Sequence, residues 1–412
     1  MVLRTTTSTT LWWLLLPSLL LISSLLLFKK GRRSIISRSS PSSTSSPSPS
    51  PTLPLGSLGW PLVGETIEFV SCAYSDRPET FINKRRALYG KVFKSHIFGN
   101  PTIVSTDAEV IKFILQSDAK SFVPSYPKSL TELMGKSSIL LINGGLQRRI
   151  HGLVGAFFKS PHLKAQITRD MEKLVRESMA KWREDEAIFI QDETKNIAFQ
   201  VLVKALISLD PGEEMELLKK QFQEFILGLM SLPIKLPGTQ LYRSLREENL
   251  KLKSLKAQLG EPLFWSDYLS SLPFTQTVIT ETLRMGNIII GVMRKAMKDV
   301  EIKGHLIPKG WSVLAYLRSV HLDDNHYDHP YHFNPWRWQD KDVSNNNFTP
   351  FGGGQRLCPG VDLARLEASI FLHHFVTQFR WVAEEDTIVN FPTVRMKRRM
   401  PVWVKRRDQQ AL

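Results

Sequence analysis

The sequence predicts a mainly α-helical domain with a minor β part, preceded by one transmembrane helix. Three observations carry that reading. Helical periodicity recurs along the chain and culminates in an apolar stretch over 364–379, short alternating patterns over 92–104 and 300–316 mark strands, and residues 11–28 hold no charge. The 412 residues are 42% hydrophobic and 23% charged, enough apolar material to bury a large core. A wholly disordered protein is excluded, and two cysteines as far apart as Cys72 and Cys358 exclude a disulfide scaffold.

Leu11 to Phe28 is a Leu-rich run that contains Pro17 and opens with Trp12 and Trp13, side chains suited to the headgroup level of a bilayer. Lys29, Lys30, Arg32 and Arg33 follow at once, so residues 1–33 read as an anchor with a basic stop and a cytoplasmic exit. A cleaved signal peptide is the competing reading. The length of the run, and positive charge placed after it instead of before it, argue for a retained span. Residues 34–55 are Ser-rich and then Ser-Pro-rich, which makes them a semi-extended linker. Globular sequence begins at 56, and residues 56–412 read as one domain facing the cytoplasm, in agreement with unpaired cysteines.

Within that domain, Val92 to Phe98 and Thr102 to Val104 are expected as strands around an Asn100-Pro101 turn. Helices are expected over Asp107 to Leu115, Met171 to Trp182, Glu214 to Leu229 and Leu272 to Leu283. Val300 to Ile302 and Trp311 to Tyr316 read as strands separated by turn-rich residues 303–310. The helix over Ala364 to Phe379 is apolar on nearly all sides and therefore belongs deep in a core. Lys and Arg number 54 against 39 Asp and Glu, a net charge of +15. Part of that excess lies in a run from Arg395 to Arg407 that alternates with Met396, Met400, Val402 and Val404, in the manner of an edge strand. No reading motif for nucleic acid accompanies the charge, so nucleic acid is not an expected partner; a basic surface also suits an acidic protein.

The most informative stretch is Phe351-Gly352-Gly353-Gly354-Gln355-Arg356-Leu357-Cys358-Pro359-Gly360. Its glycines strip one loop surface of side-chain bulk and permit positive φ. Cys358 stands just before a helix, whose unpaired N–H groups favour negative charge on sulfur, and Pro359 suits a first helical turn. The stretch lacks the Gly-Lys-Ser/Thr ending of a phosphate loop. One cysteine without a second ligand at suitable spacing is a poor zinc or iron–sulfur site but suffices as the single protein ligand of haem iron. The bland alternative is a structural cysteine in a glycine-rich turn. Arg356 is a candidate partner for a haem propionate. Glu281 and Arg284, three apart on one helical face, read as a surface ion pair or, if buried, as a pair requiring a further partner, for which Arg337 is a candidate.

Together these residues resemble the cytochrome P-450 family. Its cysteine signature is met at Phe351, Gly352, Gly354, Arg356, Cys358 and Gly360, its Glu-x-x-Arg motif at Glu281 and Arg284, and its aromatic-proline-arginine element over Phe333 to Trp338. The resemblance implies haem b (iron protoporphyrin IX) ligated by Cys358 and propionates held by Arg356 and Arg294. It also implies a Glu281–Arg284–Arg337 network bracing the cysteine loop. The stretches Phe348 to Trp381 and Val389 to Arg395 are similar to plant brassinosteroid-forming monooxygenases, most of all the steroid C-23 hydroxylase branch, which acts on the sterol tail. That likeness implies a sterol-like substrate, O2, and electrons from an NADPH-cytochrome P-450 reductase at the endoplasmic reticulum membrane.

Two departures from the family accompany the likeness. Where a propionate-binding Trp or His and an Arg four residues later are usual, the sequence has Gln147 and His151, so His151 is the remaining candidate donor, with Arg148 an alternative. More seriously, only about forty residues separate Pro237 from Glu281, and no Ala/Gly-Gly-x-Asp/Glu-Thr pattern occurs among them. The central oxygen-activating helix is therefore expected to be missing near 245–246. That truncation carries two expectations: poor haem retention, and a second function class in which a membrane-tethered form binds sterol or reductase without turnover.

Overall fold

The turn of the first hairpin falls at Phe98-Gly99, where both residues have positive φ (54° and 77°). This is two residues earlier than the expected Asn100-Pro101 turn. A two-residue hairpin with φ above zero at both positions is of the type I′ kind, which Gly99 enters freely and proline cannot. Asn100 and Pro101 instead begin β2 (Asn100–Ser105), opposite Ile97 and His96 of β1 (Val92–Ile97). Pro101 lies just before the first residue of β2 that pairs with the next strand, so its missing N–H costs no ladder bond.

In this computed structural model the described residues are 51–61, 63–127, 131, 137–209, 212–216, 218–219, 263–339, 347–390 and 394–407. The anchor, nearly all of the linker, the segment around 245–246 and most of the helix expected over 214–229 lie outside them. Among the described residues no helix is long and apolar enough to cross a membrane.

The larger sheet has the order β1-β2-β8-β5-β3, with β3 at Phe122–Pro124, β5 at Val292–Ala296 and β8 at Ser312–Ala315. Only the β2–β8 pairing is parallel. β6 (Val300–Ile302) pairs with β7 (His305–Ile307) around Lys303-Gly304. The turn-rich reading of 303–310 thus concealed a strand, because three residues between Gly304 and Pro308 are too few to display alternation. A second sheet has the order β4-β12-β9, from Ile188–Phe189, Pro401–Arg406 and Phe379–Ala383. β12 carries the basic run and is the middle strand, not an edge. Val402 and Val404 are buried beneath it while Trp403, Lys405 and Arg406 face out. β10 (Ile388–Val389) and β11 (Arg395–Met396) form a separate short pair.

The helices with bounds inside the described residues are α1 Thr66–Ala73, α2 Thr80–Tyr89, α3 Ala108–Gln116, α4 Gly144–Lys159, α5 Pro161–Ala180, α6 Ile190–Ile207, α7 Trp265–Ser270, α8 Pro273–Gly286, α9 Leu317–His321 and α10 Val361–Gln378. Asp107 caps α3 by accepting from the amides of Glu109 and Val110. The main core joins α5, α6 and α10. Met171 and Val175 of α5 and Ile197 of α6 meet Leu366, Ile370 and Val376 of α10, and Trp182 packs on Phe371, Phe375 and Phe379. α10 begins three residues before the expected Ala364, so Pro359 precedes the helix instead of occupying its first turn.

Candidate functional site

The cysteine loop lies between α3 and α10. Gly352 and Gly354 both have positive φ (77° and 63°), and a Cβ at Gly354 would stand 2.2 Å from the Leu115 carbonyl oxygen. The glycines therefore let the loop backbone lie against the end of α3. Thr349 O accepts from Gly352 N (3.0 Å), Gly354 O from Leu357 N (3.2 Å) and Phe351 O from Cys358 N (3.1 Å). These bonds present Cys358 as an exposed thiol one turn ahead of α10. Gly354→Ala is expected to cost about 3 kcal/mol, through left-handed strain and the clash with Leu115, and to lower the urea midpoint of the full-length protein. Gly353→Ala, at an extended φ and against the flexible Leu115 side chain, should cost much less. Equal midpoints for the two variants would refute this account of the loop.

Two arginines converge beside this loop. Arg356 donates from Nε to Asp118 (2.8 Å) and from Nη2 to Ile142 O (2.7 Å) and Asn143 Oδ1 (2.8 Å), tying the loop to the segment before α4. Arg294, on β5 and 3% exposed, bonds through Nη1 to its neighbour Met293 O, while its Nε lies 3.7 Å from Asp118 and has no hydrogen-bond partner. Asp118 Oδ1 is likewise without one. α4 holds the same loop from another side: His151 Nε2 meets Leu357 O at 2.6 Å, and Gln147 Nε2 donates to Gln355 O at 3.1 Å. The two positions that depart from the family pattern thus contact the cysteine-loop backbone.

Glu281 and Arg284 of α8 are both fully buried. The carboxylate of Glu281 accepts from Arg284 Nε and Nη2 (2.9 and 2.8 Å), Arg337 Nε (3.1 Å), Trp338 Nε1 (2.9 Å) and Asn334 N (3.0 Å). Structure thus brings Glu281, Arg284 and Arg337 together on one carboxylate. Burial would push its pKa up, but the bidentate Arg284 and the other donors hold it below the usual carboxylate value.

The sequence reading missed four residues around these features: Asp118, Asn287, His321 and Glu367. Arg284 Nη1 donates to His321 O (2.8 Å), His321 Nδ1 meets Asn287 Oδ1 (2.6 Å), and Thr349 N donates to His321 Nε2 (3.0 Å). Glu367, on α10, has a shielded carboxyl oxygen without a hydrogen-bond partner. No local sequence signal distinguishes any of them: Asp118, Asn287 and His321 gain their roles from residues remote in the chain, and Glu367 from burial alone.

Two of these groups set opposing pH dependences. Burial, reinforced by the nearby cations Arg284 and Arg318, lowers the His321 pKa to about 3, so the folded protein keeps it neutral while the unfolded protein protonates it near 6.5. Stability therefore falls as pH drops below 6.5, by up to about 1.4 kcal/mol per unit. Burial raises Glu367 from 4.5 to about 7, so the folded protein takes up that proton first and gains stability as pH falls from 7 to 4.5. The two slopes offset each other between about 6.5 and 4.5; below that Glu367 no longer contributes, and His321 and the lowered carboxylates, Glu281 among them, both cost stability as pH falls. Glu367→Gln is expected to be more stable than the parent at pH 8 and to lose stability from pH 6.5 downward, as read by urea unfolding. Parallel pH profiles for the two proteins would contradict this.

Comparison with known proteins places this arrangement. The cytochrome P450 family model matches residues 54–235 and 255–400. The chain is 56% identical to 3-epi-6-deoxocathasterone 23-monooxygenase CYP90D1 of Arabidopsis thaliana, across 90% of this chain and 94% of that protein. It is 55% identical to cytochrome P450 90D2 of Oryza sativa subsp. indica, across 86% and 90%. Among solved structures, the retinoic acid-bound cyanobacterial CYP120A1 superposes with a TM-score of 0.69 at 22% identity, covering 87% of this chain and all of that one. The alignment with the Arabidopsis protein runs over 464 positions, whereas 90% of 412 residues is about 371, so about ninety positions hold no residue of this chain. With a family match of this extent and the shared fold, the chain belongs to the cytochrome P450 family.

Proposed function

We propose that the protein is the scaffold of a haem-thiolate monooxygenase that hydroxylates a brassinosteroid-type steroid at C-23, in the sterol tail. Haem b supplies oxygen activation, with electrons delivered from NADPH through a cytochrome P-450 reductase; one oxygen atom enters the steroid and the other leaves as water. The observation that carries the reading is the exposed Cys358 on a loop pinned by glycine geometry, beside a buried Arg294 whose Nε donor lacks an acceptor. An anionic propionate would satisfy that donor, so these residues fit the group. Cys358 would hold the iron, and Gly352 and Gly354 would leave the loop surface free of side-chain bulk for the flat group, with Phe351 O holding the Cys358 amide. Arg294 and Arg356 would neutralise propionates, and His151 would support them through the loop backbone. The steroid class and the position of hydroxylation rest on what the Arabidopsis relative's name states of that protein.

In this reading residues 1–33 anchor the protein in the endoplasmic reticulum membrane, 34–55 are the linker and 56–412 form the cytoplasmic domain. The interrupted family match between 235 and 255, with about ninety alignment positions unfilled, supports a missing central segment. It also favours a second reading, that the protein as it stands binds steroid or reductase with little turnover. The reduced carbon-monoxide difference spectrum of the purified protein tests both. A weak thiolate-haem band, abolished in Cys358→Ala, is the expected result. A spectrum identical in the alanine variant would overturn the haem assignment, and full haem occupancy would overturn the impaired form.

A further inference from the structure

His321 is fully buried and stands between two features that are separate in sequence, the Glu281 cluster and the loop that presents Cys358. Its hydrogen bonds assign its proton to one ring nitrogen. Asn287, at the end of α8 in a left-handed conformation, donates its side-chain amide to Arg284 O (2.7 Å), which turns its Oδ1 toward His321. An oxygen at 2.6 Å from Nδ1 requires Nδ1 to carry the hydrogen. The neutral ring then offers Nε2 as an acceptor, and that is where Thr349 N–H donates at 3.0 Å. The path continues through the loop, because Thr349 O accepts from Gly352 N and Phe351 O from Cys358 N. At its other end, Arg284 grips both Glu281 and the His321 carbonyl. The Phe348 ring packs between His321 (5.8 Å) and Trp338 (5.0 Å), and Trp338 itself donates to Glu281.

We propose that His321, locked by Asn287 as the Nδ1-protonated neutral tautomer, is the positioning residue that couples the Glu281–Arg284–Arg337 cluster to the cysteine loop. The inference concerns how the loop is held, and its consequence for iron ligation rests on the proposed role of Cys358. A leucine at 321 fills similar space but leaves the Thr349 amide without an acceptor, whereas glutamine reaches toward Thr349 with a carbonyl that restores one.

Amide hydrogen exchange of the full 412-residue protein, prepared without added haem and read over residues 348–360, is the test. In His321→Leu, exchange in this stretch should accelerate about ten- to a hundredfold, with α10 and the strands unchanged and His321→Gln recovering most of the protection. If His321→Leu fails to fold, Asn287→Leu carries the test. It leaves the imidazole in place but frees its proton to move to Nε2, so the same stretch should accelerate. Exchange in 348–360 unchanged within about twofold, or equally faster everywhere, overturns the proposal. Because the readout needs no haem, a missing carbon-monoxide band beside the expected exchange pattern would sink the haem assignment and leave the coupling intact.

Discussion

Glu281→Ala lowers the unfolding free energy of the domain by an expected 3–5 kcal/mol, about the size of the whole margin of a weakly stable domain. The single carboxylate accepts five hydrogen bonds, three of them from the guanidinium groups of Arg284 and Arg337. Removing it leaves Arg284, which is 0% exposed, with a buried charge that no water reaches, and leaves the Trp338 indole N–H unsatisfied. A surface Glu–Arg pair three residues apart would be worth a few tenths of a kcal/mol, so burial decides the magnitude. Glu281 is held ionised below the usual carboxylate range, so the loss should be the same at pH 6 and pH 8. Replacing Arg284 by methionine together with Glu281→Ala should recover part of the loss, since the double variant no longer strands the Arg284 charge. Urea unfolding followed by tryptophan fluorescence reads all three proteins. A loss under about 1 kcal/mol for Glu281→Ala would mean that water or another anion replaces the carboxylate.

The parts of this molecule that were legible in its sequence are those whose signals are local. Asp107 followed by Val110, Ile111, Ile114 and Leu115 declares a capped helix, and α3 forms there. The continuous apolar run after Cys358 declares a buried helix, and α10 is the centre of the main core. What stayed hidden depends on partners remote in the chain. β7 is a strand because β6 pairs with it, and β12 is central because two residues of β4, contributed from before α6, close its free side. The site divides in the same way. The Gly-rich cysteine loop is a contiguous pattern and could be read, whereas Asp118 meets Arg356 across 238 residues and His321 meets Asn287 across 34. Buried polar groups of this kind show no periodicity, and only the folded geometry shows which of them are satisfied.

On the proposed reading that a central segment is missing, restoring it should have the largest effect on chemistry. If the chain hydroxylates a steroid as proposed, inserting the corresponding residues of the Arabidopsis relative at 245–246 is expected to raise that hydroxylation at least about a hundredfold over the protein as it stands. A positioned proton-transfer group alone contributes about 10²- to 10⁴-fold, and better haem retention adds to it. The surface of α4 gives a second reason. Leu146, Leu153 and Phe157 lie 55%, 64% and 39% exposed, and Leu206 and Ile207 at the end of α6 are 56% and 60% exposed. Apolar side chains so clustered along helices favour association when nothing covers them. If the inserted segment packs there, binding of a hydrophobic dye should fall as the thiolate-haem band rises. The two changes need to occur together: a band without loss of dye binding would place the segment elsewhere, and loss of dye binding without a band would show that covering the apolar face does not by itself build the haem pocket. Turnover by the unmodified protein within about threefold of the restored one would show that proton delivery and enclosure are supplied by residues already present.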